Sequence, residues 1–288
     1  MMLLALVACS EQGLNEKRID ALAVVLGDFD HVGDTLVSMG IGVTEYDGFV
    51  VQATYEAEED RQQRGEAALT VEGLLSTGDS GNAEINLYQA AFINSGTRGL
   101  NAFQYNNPIL EDDSLLKAPE LLDVACTYAE SGNVLVVSDW AYDLVEYCWP
   151  DAIEFVGDDA EIDAAQTGEP STEVLALVGG DEAFKTKVGV SALSLTYDYS
   201  AWAAIESVGK NTEVLLKGDV FYQPSAAELP QLLPEAPLLV RFTAGKGTVL
   251  YSTFHWATQS QGLAGTLLEA SIEGLPVKDA TPTAEAQP

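Results

Sequence analysis

Basic residues are scarce in this chain: 13 Lys and Arg stand against 45 Asp and Glu in 288 residues, a formal charge of −32. Nucleic-acid phosphates and anionic lipid headgroups are held by Lys and Arg, so neither is an expected partner. The acid falls in short runs such as EAEED (56–60) and GDDAEID (157–163), the pattern of a solvated, highly soluble surface. Calcium loops are missing as well: GDFDHVGD (27–34) carries Asp28, Asp30 and Asp34 without the glycine and distal glutamate of an EF-hand. Only two histidines occur. A zinc site would need His31, His255 and carboxylates to converge, and zinc ordinarily recruits more His or Cys. No Walker A or GxGxxG sequence is present, so a nucleotide is not indicated, and no cofactor is expected. What remains is ample for a core. Hydrophobic residues make up 47%, too many for a disordered chain, and the length suits one large α/β domain.

The N-terminus reads MMLLALVACSEQG. Its apolar run is far short of the ~20 residues that span a bilayer. The run ends at small residues before Cys9, as at the cleavage end of a signal peptide. Leu6-Val7-Ala8-Cys9 resembles a bacterial lipobox, which implies lipidation of Cys9 and a cell-envelope address, on the periplasmic or outer-membrane side. Membrane contact is then expected only through that anchor, with residues 10–20 as a polar tether. The alternative is a buried N-terminal strand. Cys126 and Cys148 are expected as two buried thiols; export to an oxidising compartment would also allow them to pair.

From Ala21 onward, apolar strand-like runs alternate with helical stretches. ALAVVLGDFD (21–30) reads as a strand buried on both faces, and GFVVQATY (48–55) as a second. VEGLLSTG (71–78) has helical spacing, YQAAFINSGTRG (88–99) is a strand entering a polar loop, and PELLDVACTYAESG (119–132) is a helix opened by proline and closed by glycine. In NVLVVSDWAYDLVEYCWP (133–150) four apolar residues form a strand, Ser138 and Asp139 can cap, and an amphipathic helix follows until proline. Strand, tight turn, helix is the repeating unit of a parallel sheet. Residues 151–235 are more β-like and irregular, with STEVLALVGG, KVGVSALSLTYDY and NTEVLLKGDVFY as strands. PLLVRFTAGKGTVLYSTFHW (237–256) is a hairpin turned at Gly245-Lys246-Gly247, and GLAGTLLEASIEGL (262–275) is a closing helix. The tail, 276–288, is rich in proline and alanine and reads as disordered.

VLVVSDWAYDLVE and GKGTVLYSTFHW resemble two segments of the class I glutamine amidotransferase-like superfamily, which includes the ThuA-like domains. The first corresponds to the strand, nucleophile elbow and helix. The second corresponds to the strand ending in Phe-His-Pro-Glu, and the histidine comes about 115 residues later, in the right order. The resemblance covers residues 21–150 and 237–275. It implies a flavodoxin-like, mostly parallel sheet with helices on both faces, carrying a β-rich insertion at about 151–235 within an α/β domain of residues 21–275. In active members a Cys thiolate attacks an amide, the His takes its proton and the Glu orients the His. This chain departs at each part. Ser138 or Asp139 stands at the elbow, Cys148 is nearly three helical turns beyond, and Trp256-Ala257 replaces Pro-Glu. Val136 and Trp140, flanking Ser138, are bulky for a tight elbow. His255 is therefore expected as a hydrogen-bonded feature of the fold with no nucleophile to serve and no orienting carboxylate.

Ligands of open parallel sheets bind beyond the carboxyl ends of the strands. That rim gathers Asp28 and Asp30; Asn94, Ser95, Thr97 and Arg98; Ser138, Asp139 and Trp140; and His255 with Trp256. Two tryptophans beside hydroxyls and carboxylates suit a sugar or other polyol, although both could equally be core. The expected function is a non-catalytic envelope domain that binds a small polar ligand or a protein partner. The alternatives are a hydrolase using Ser138 or Asp139 with His255, and a structural scaffold.

Overall fold

Residues 21–27, 29–48, 69–78, 81–96, 119–157, 165–168, 173–198, 202–224 and 227–272 are described by the computed structural model. The lipobox and Cys9, the tether, Asp28, Thr97, Arg98, residues 49–55 of the expected second strand and the C-terminal tail lie outside them.

Five strands form the parallel centre of the sheet: β1 (Ala21–Leu26), β2 (Gly42–Asp47), β3 (Ala90–Ile93), β4 (Val134–Ser138) and β12 (Gly247–Ser252). Their order is β2-β1-β3-β4-β12, the doubly wound order of a flavodoxin-like α/β fold. Expected fold and observed fold agree. The VLVV run is central, with Leu135, Val136 and Val137 buried between β3 and β12.

Alternation along each strand assigns residues to two apolar layers. Ala23, Val25, Ala91, Ile93, Leu135 and Val137 face one layer. Helices α2 (Val71–Leu75), α3 (Pro119–Glu130) and α4 (Tyr142–Cys148) cover it. Leu22, Val24, Phe92, Val136 and Leu250 face the other, covered by α1 (Val32–Ser38), α5 (Glu182–Val188) and α6 (Gln261–Ser271). Each such fully buried Leu, Val or Phe contributes about 1.5–3 kcal/mol, which is why these strands read as continuous apolar runs.

Most strands of the region expected as a β-rich insertion, about 151–235, continue the main sheet. β11 (Gln231–Ala244) pairs antiparallel with β12, and β10 (Thr212–Gln223), β7 (Glu173–Val178) and β8 (Ala192–Thr196) extend the same sheet outward. β6 (Thr167–Gly168) also pairs with β10, and β5 (Ile153–Phe155) with β9 (Ile205–Val208) makes a small second sheet. The hairpin turn comes where Gly245 adopts φ +58° and Gly247 passes so close to helix α3 that a Cβ would meet the Ala129 carbonyl oxygen at 2.1 Å. Its first strand starts at Gln231, earlier than the expected 237, because β10 extends the pairing to that point.

Cys126 and Cys148 are joined in a disulfide, with Cα atoms 5.5 Å apart, tying α3 to α4. The expectation of two separate thiols is corrected: packing of the two helices on one face of β4 brings residues 22 apart in sequence together.

Candidate functional site: a carboxylate–imidazole–carboxylate relay

β4 ends at Ser138, whose backbone is still extended, and the next residue turns sharply. Asp139 adopts φ +43°, a left-handed conformation that costs a non-glycine residue energy, before a 3-10 turn (Asp139–Ala141) leads into α4. The elbow residue is therefore Asp139. Its flanks are Val137 and Ala141, so the bulk expected from Val136 and Trp140 falls one position out of register. Neither Ser138 nor Asp139 caps the helix, contrary to expectation, because both side chains are engaged elsewhere.

Asp139 is fully buried and both its oxygens are used. Oδ1 accepts the Ala203 N–H at 2.8 Å. Oδ2 accepts the Ser95 hydroxyl at 3.2 Å and lies 2.9 Å from Nε2 of His255. On the other side of the ring, Nδ1 is 2.8 Å from Oδ1 of Asp198. The orienting carboxylate expected to be missing is thus supplied from another place in the chain. It comes from the end of β8, in the added part of the sheet, instead of two residues after the histidine.

A ring with a carboxylate on each nitrogen donates to both only as imidazolium. Burial pushes the His255 imidazole down, but the hydrogen bond and charge of Asp139, the charge of Asp30 and the hydrogen bond of Asp198 hold it up at about 9. Burial also pushes Asp139 up, against the lowering pull of His255, the Ala203 amide and the Ser95 hydroxyl. One proton serves the pair. It belongs on His255, because the Ser95 hydroxyl and the Ala203 N–H both donate to Asp139 and favour an ionised acceptor.

Ser138 is no partner of His255. Its hydroxyl donates to Asp30 Oδ2 at 3.1 Å and accepts the Ser95 N–H at 3.0 Å. Asp30, also fully buried, further accepts the Trp256 and Ala257 amides, both at 3.0 Å. Burial raises its carboxyl, with His255 and these amides pulling the other way. Asp30 is thus a brace between the loop after β1 and the loop after β12. The Ser138–His255 pair considered from the sequence does not form.

Among the described residues the rim otherwise closes on itself. Asn94 and Ser95 are buried, and Ser95 also accepts the Trp140 N–H and gives its carbonyl to the Phe29 amide. The two tryptophans expected to frame a ligand lie on opposite faces of the sheet. Trp140 packs, half-buried, against the layer of α3 and α4, whereas Trp256 is wholly buried in the other layer against Phe254. They cannot share one pocket. His31 is exposed at the start of α1, and among the described residues no cluster of His, Cys, Asp and Glu could hold a metal. A shallow recess beside the ring is lined by Tyr197, Asp198, Trp202, Thr253, Phe254 and His255, and no part of it is wide enough for a water molecule.

Sequence reasoning missed Asp198, Tyr197, Ala203, Tyr251 and Gln259. Tyr197 hydroxyl meets Thr253 Oγ1 at 2.7 Å, Tyr251 donates to the Asp139 carbonyl at 2.9 Å, and Gln259 exchanges two hydrogen bonds with the Thr196 backbone. The one available signal was an acid directly after a strand, in LSLTYDY.

No family model and no curated protein matches the chain. Solved structures do resemble it. A cytoplasmic protein from Salmonella typhimurium is 14% identical, with 87% of this chain and 96% of that chain covered and a TM-score of 0.47. A ThuA-like protein from Bacteroides uniformis is 14% identical, with 94% and 96% covered and a TM-score of 0.45. A glutamine amidotransferase from Methylobacillus flagellatus is 11% identical, with 83% and 70% covered and a TM-score of 0.45.

Proposed function

We propose that this protein is a cell-envelope lipoprotein whose amidotransferase-like domain is non-catalytic and serves to bind a partner. One observation carries the loss of catalysis: the elbow carboxylate of Asp139 is fully buried with both oxygens committed to protein donors. A nucleophile needs a free lone pair facing substrate, and His255, locked between Asp139 and Asp198, has no free nitrogen with which to take a proton. The relay then acts as a clasp that fastens the β8–β9 connection across the strand ends. The recess beside the ring, too narrow to admit a water molecule, supports a protein partner over a small polar ligand. The lipobox resemblance at Leu6-Val7-Ala8-Cys9 supports the envelope address, and a disulfide is in keeping with an oxidising compartment. Ester, amide and glutamine panels are expected to show no turnover that His255→Ala abolishes; a wild-type rate lost in that variant would refute the reading.

The strained φ of Asp139 favours one second reading, a hydrolase in which Asp139 is the nucleophile, His255 activates water and Asp198 orients the ring. Its signature would be transfer of heavy oxygen from labelled water into the Asp139 carboxylate during turnover.

A further inference from the structure

The outward face of the added strands carries four large exposed apolar side chains, interleaved on β10 with Lys217 and Asp219, and lacks a covering layer among the described residues. Leu175 and Leu177 on β7 are 67% and 43% exposed, Phe221 on β10 is 49% exposed and Leu232 on β11 is 52% exposed. Register places them side by side. Leu177 pairs with Lys217, Phe221 lies four residues further along the same strand and face, and Phe221 pairs with Leu232. The intervening Ala176, Leu216 and Val220 point inward and are buried in the layer shared with α5. Across the parallel strands the same outer face is covered by α2, α3 and α4, and next to β11 by β9; β7 and the far half of β10 extend beyond that cover. Isolated exposed leucines are ordinary, but four large apolar side chains exposed on one face of three neighbouring strands mark an interaction surface.

Charge around the patch selects the occupant. Glu173, Asp219 and Glu235 lie exposed on the same strands, and the adjacent cation, Lys217, is neutralised by Glu235 at 2.6 Å. A second copy would bring an acidic rim against an acidic rim on a chain of charge −32, and an anionic lipid surface is repelled for the same reason. We infer that this face docks a protein whose contact surface is apolar at its centre and ringed by Lys or Arg. The inference extends the binding role proposed above, and its test does not depend on the outcome of the turnover assays.

The test uses the purified full chain and two fluorescent strand-forming peptides of equal charge, one alternating Lys with Leu and the other Lys with Ser. The expected result is at least tenfold tighter binding of the Lys/Leu peptide, with the margin lost in the Leu175→Thr, Phe221→Thr double variant. Threonine is a good strand former, and an unchanged melting temperature would show that the sheet survives. Equal affinity for both peptides, or undiminished binding by the variant, overturns the inference. So does dimerisation in sedimentation velocity, or flotation with phosphatidylcholine vesicles, that the same substitutions abolish; these would assign the face to a second copy or to lipid.

Discussion

Nε2 of His255 lies 2.9 Å from Oδ2 of Asp139, at the elbow where the resemblance to glutamine amidotransferases would place a thiolate. The elbow position holds a buried carboxylate that serves as counterion to the ring. The same imidazole is bound on its other face by Asp198, so the two carboxylates and the ring form one electrostatic unit across three separate parts of the chain. Removing either Asp139 or His255 leaves the other buried and uncompensated, the situation in which a buried charge becomes costly, whereas Asp198 is exposed to solvent.

His255→Ala is expected to lower stability by about 3 kcal/mol in urea denaturation, because Asp139 then keeps its charge without a cation. Asp139→Asn should cost a comparable amount by a different route, since it removes the partner that holds the ring charged. A change under about 1 kcal/mol in both variants would show that the relay is not a clasp.

The relay also predicts a pH dependence with a definite sign. His255 is held at about 9 in the folded protein against an ordinary 6.5, so its stabilisation is complete below 6.5 and is lost as pH rises through 9. That gap corresponds to roughly 3 kcal/mol as an upper bound. Wild-type stability should therefore fall between pH 6.5 and 9.5 more steeply than that of His255→Ala, and an NMR titration of the ring should show protonation persisting at pH 8. A ring titrating near 6.5 would contradict the ion pair.

Reducing the Cys126–Cys148 bridge should lower stability by about 2–4 kcal/mol, since it releases a loop closed between α3 and α4. The Cys126→Ser, Cys148→Ser variant should melt at the same temperature with and without reductant, while the wild type should not.

Gly27→Ala should destabilise by roughly 1–3 kcal/mol or more. The added Cβ would stand 2.0 Å from the Ser95 carbonyl oxygen, and Ser95 holds both Ser138 and Asp139. Loosening should reach the relay, visible as a His255 ring resonance that shifts or broadens. An unperturbed ring would show that the two parts of the rim are independent.

Cys9→Ala should abolish incorporation of labelled palmitate. Equal labelling of variant and wild type would remove the lipoprotein assignment.

The sequence by itself determined the parallel centre of the fold, because strands buried on both faces must be apolar at every position, and VLVV and ALAVVL are. It also determined the hairpin at Gly245, where a backbone conformation needs glycine, and the helix from Pro119, which stops just before Gly132; the closing helix ends at Ser271, before the expected 275. β2 was less legible: GVTEYD is only partly buried beside one neighbour and mixes polar with apolar residues. The site divided in the same way. Asp30, Ser95, Ser138, Asp139 and His255 were foreseeable as rim residues, since strand ends converge in any sheet of this order. Which of them touch was decided only by the tertiary structure. Whether Ser138 or Asp139 occupies the elbow depends on a single backbone torsion. The carboxylate that binds His255 Nδ1 comes from 57 residues upstream, through strands that extend the sheet, and no local pattern encodes a contact of that range. The same holds for the two tryptophans. Side-chain type is written in the sequence, but the face each one turns to depends on where the strand ends and the loop begins.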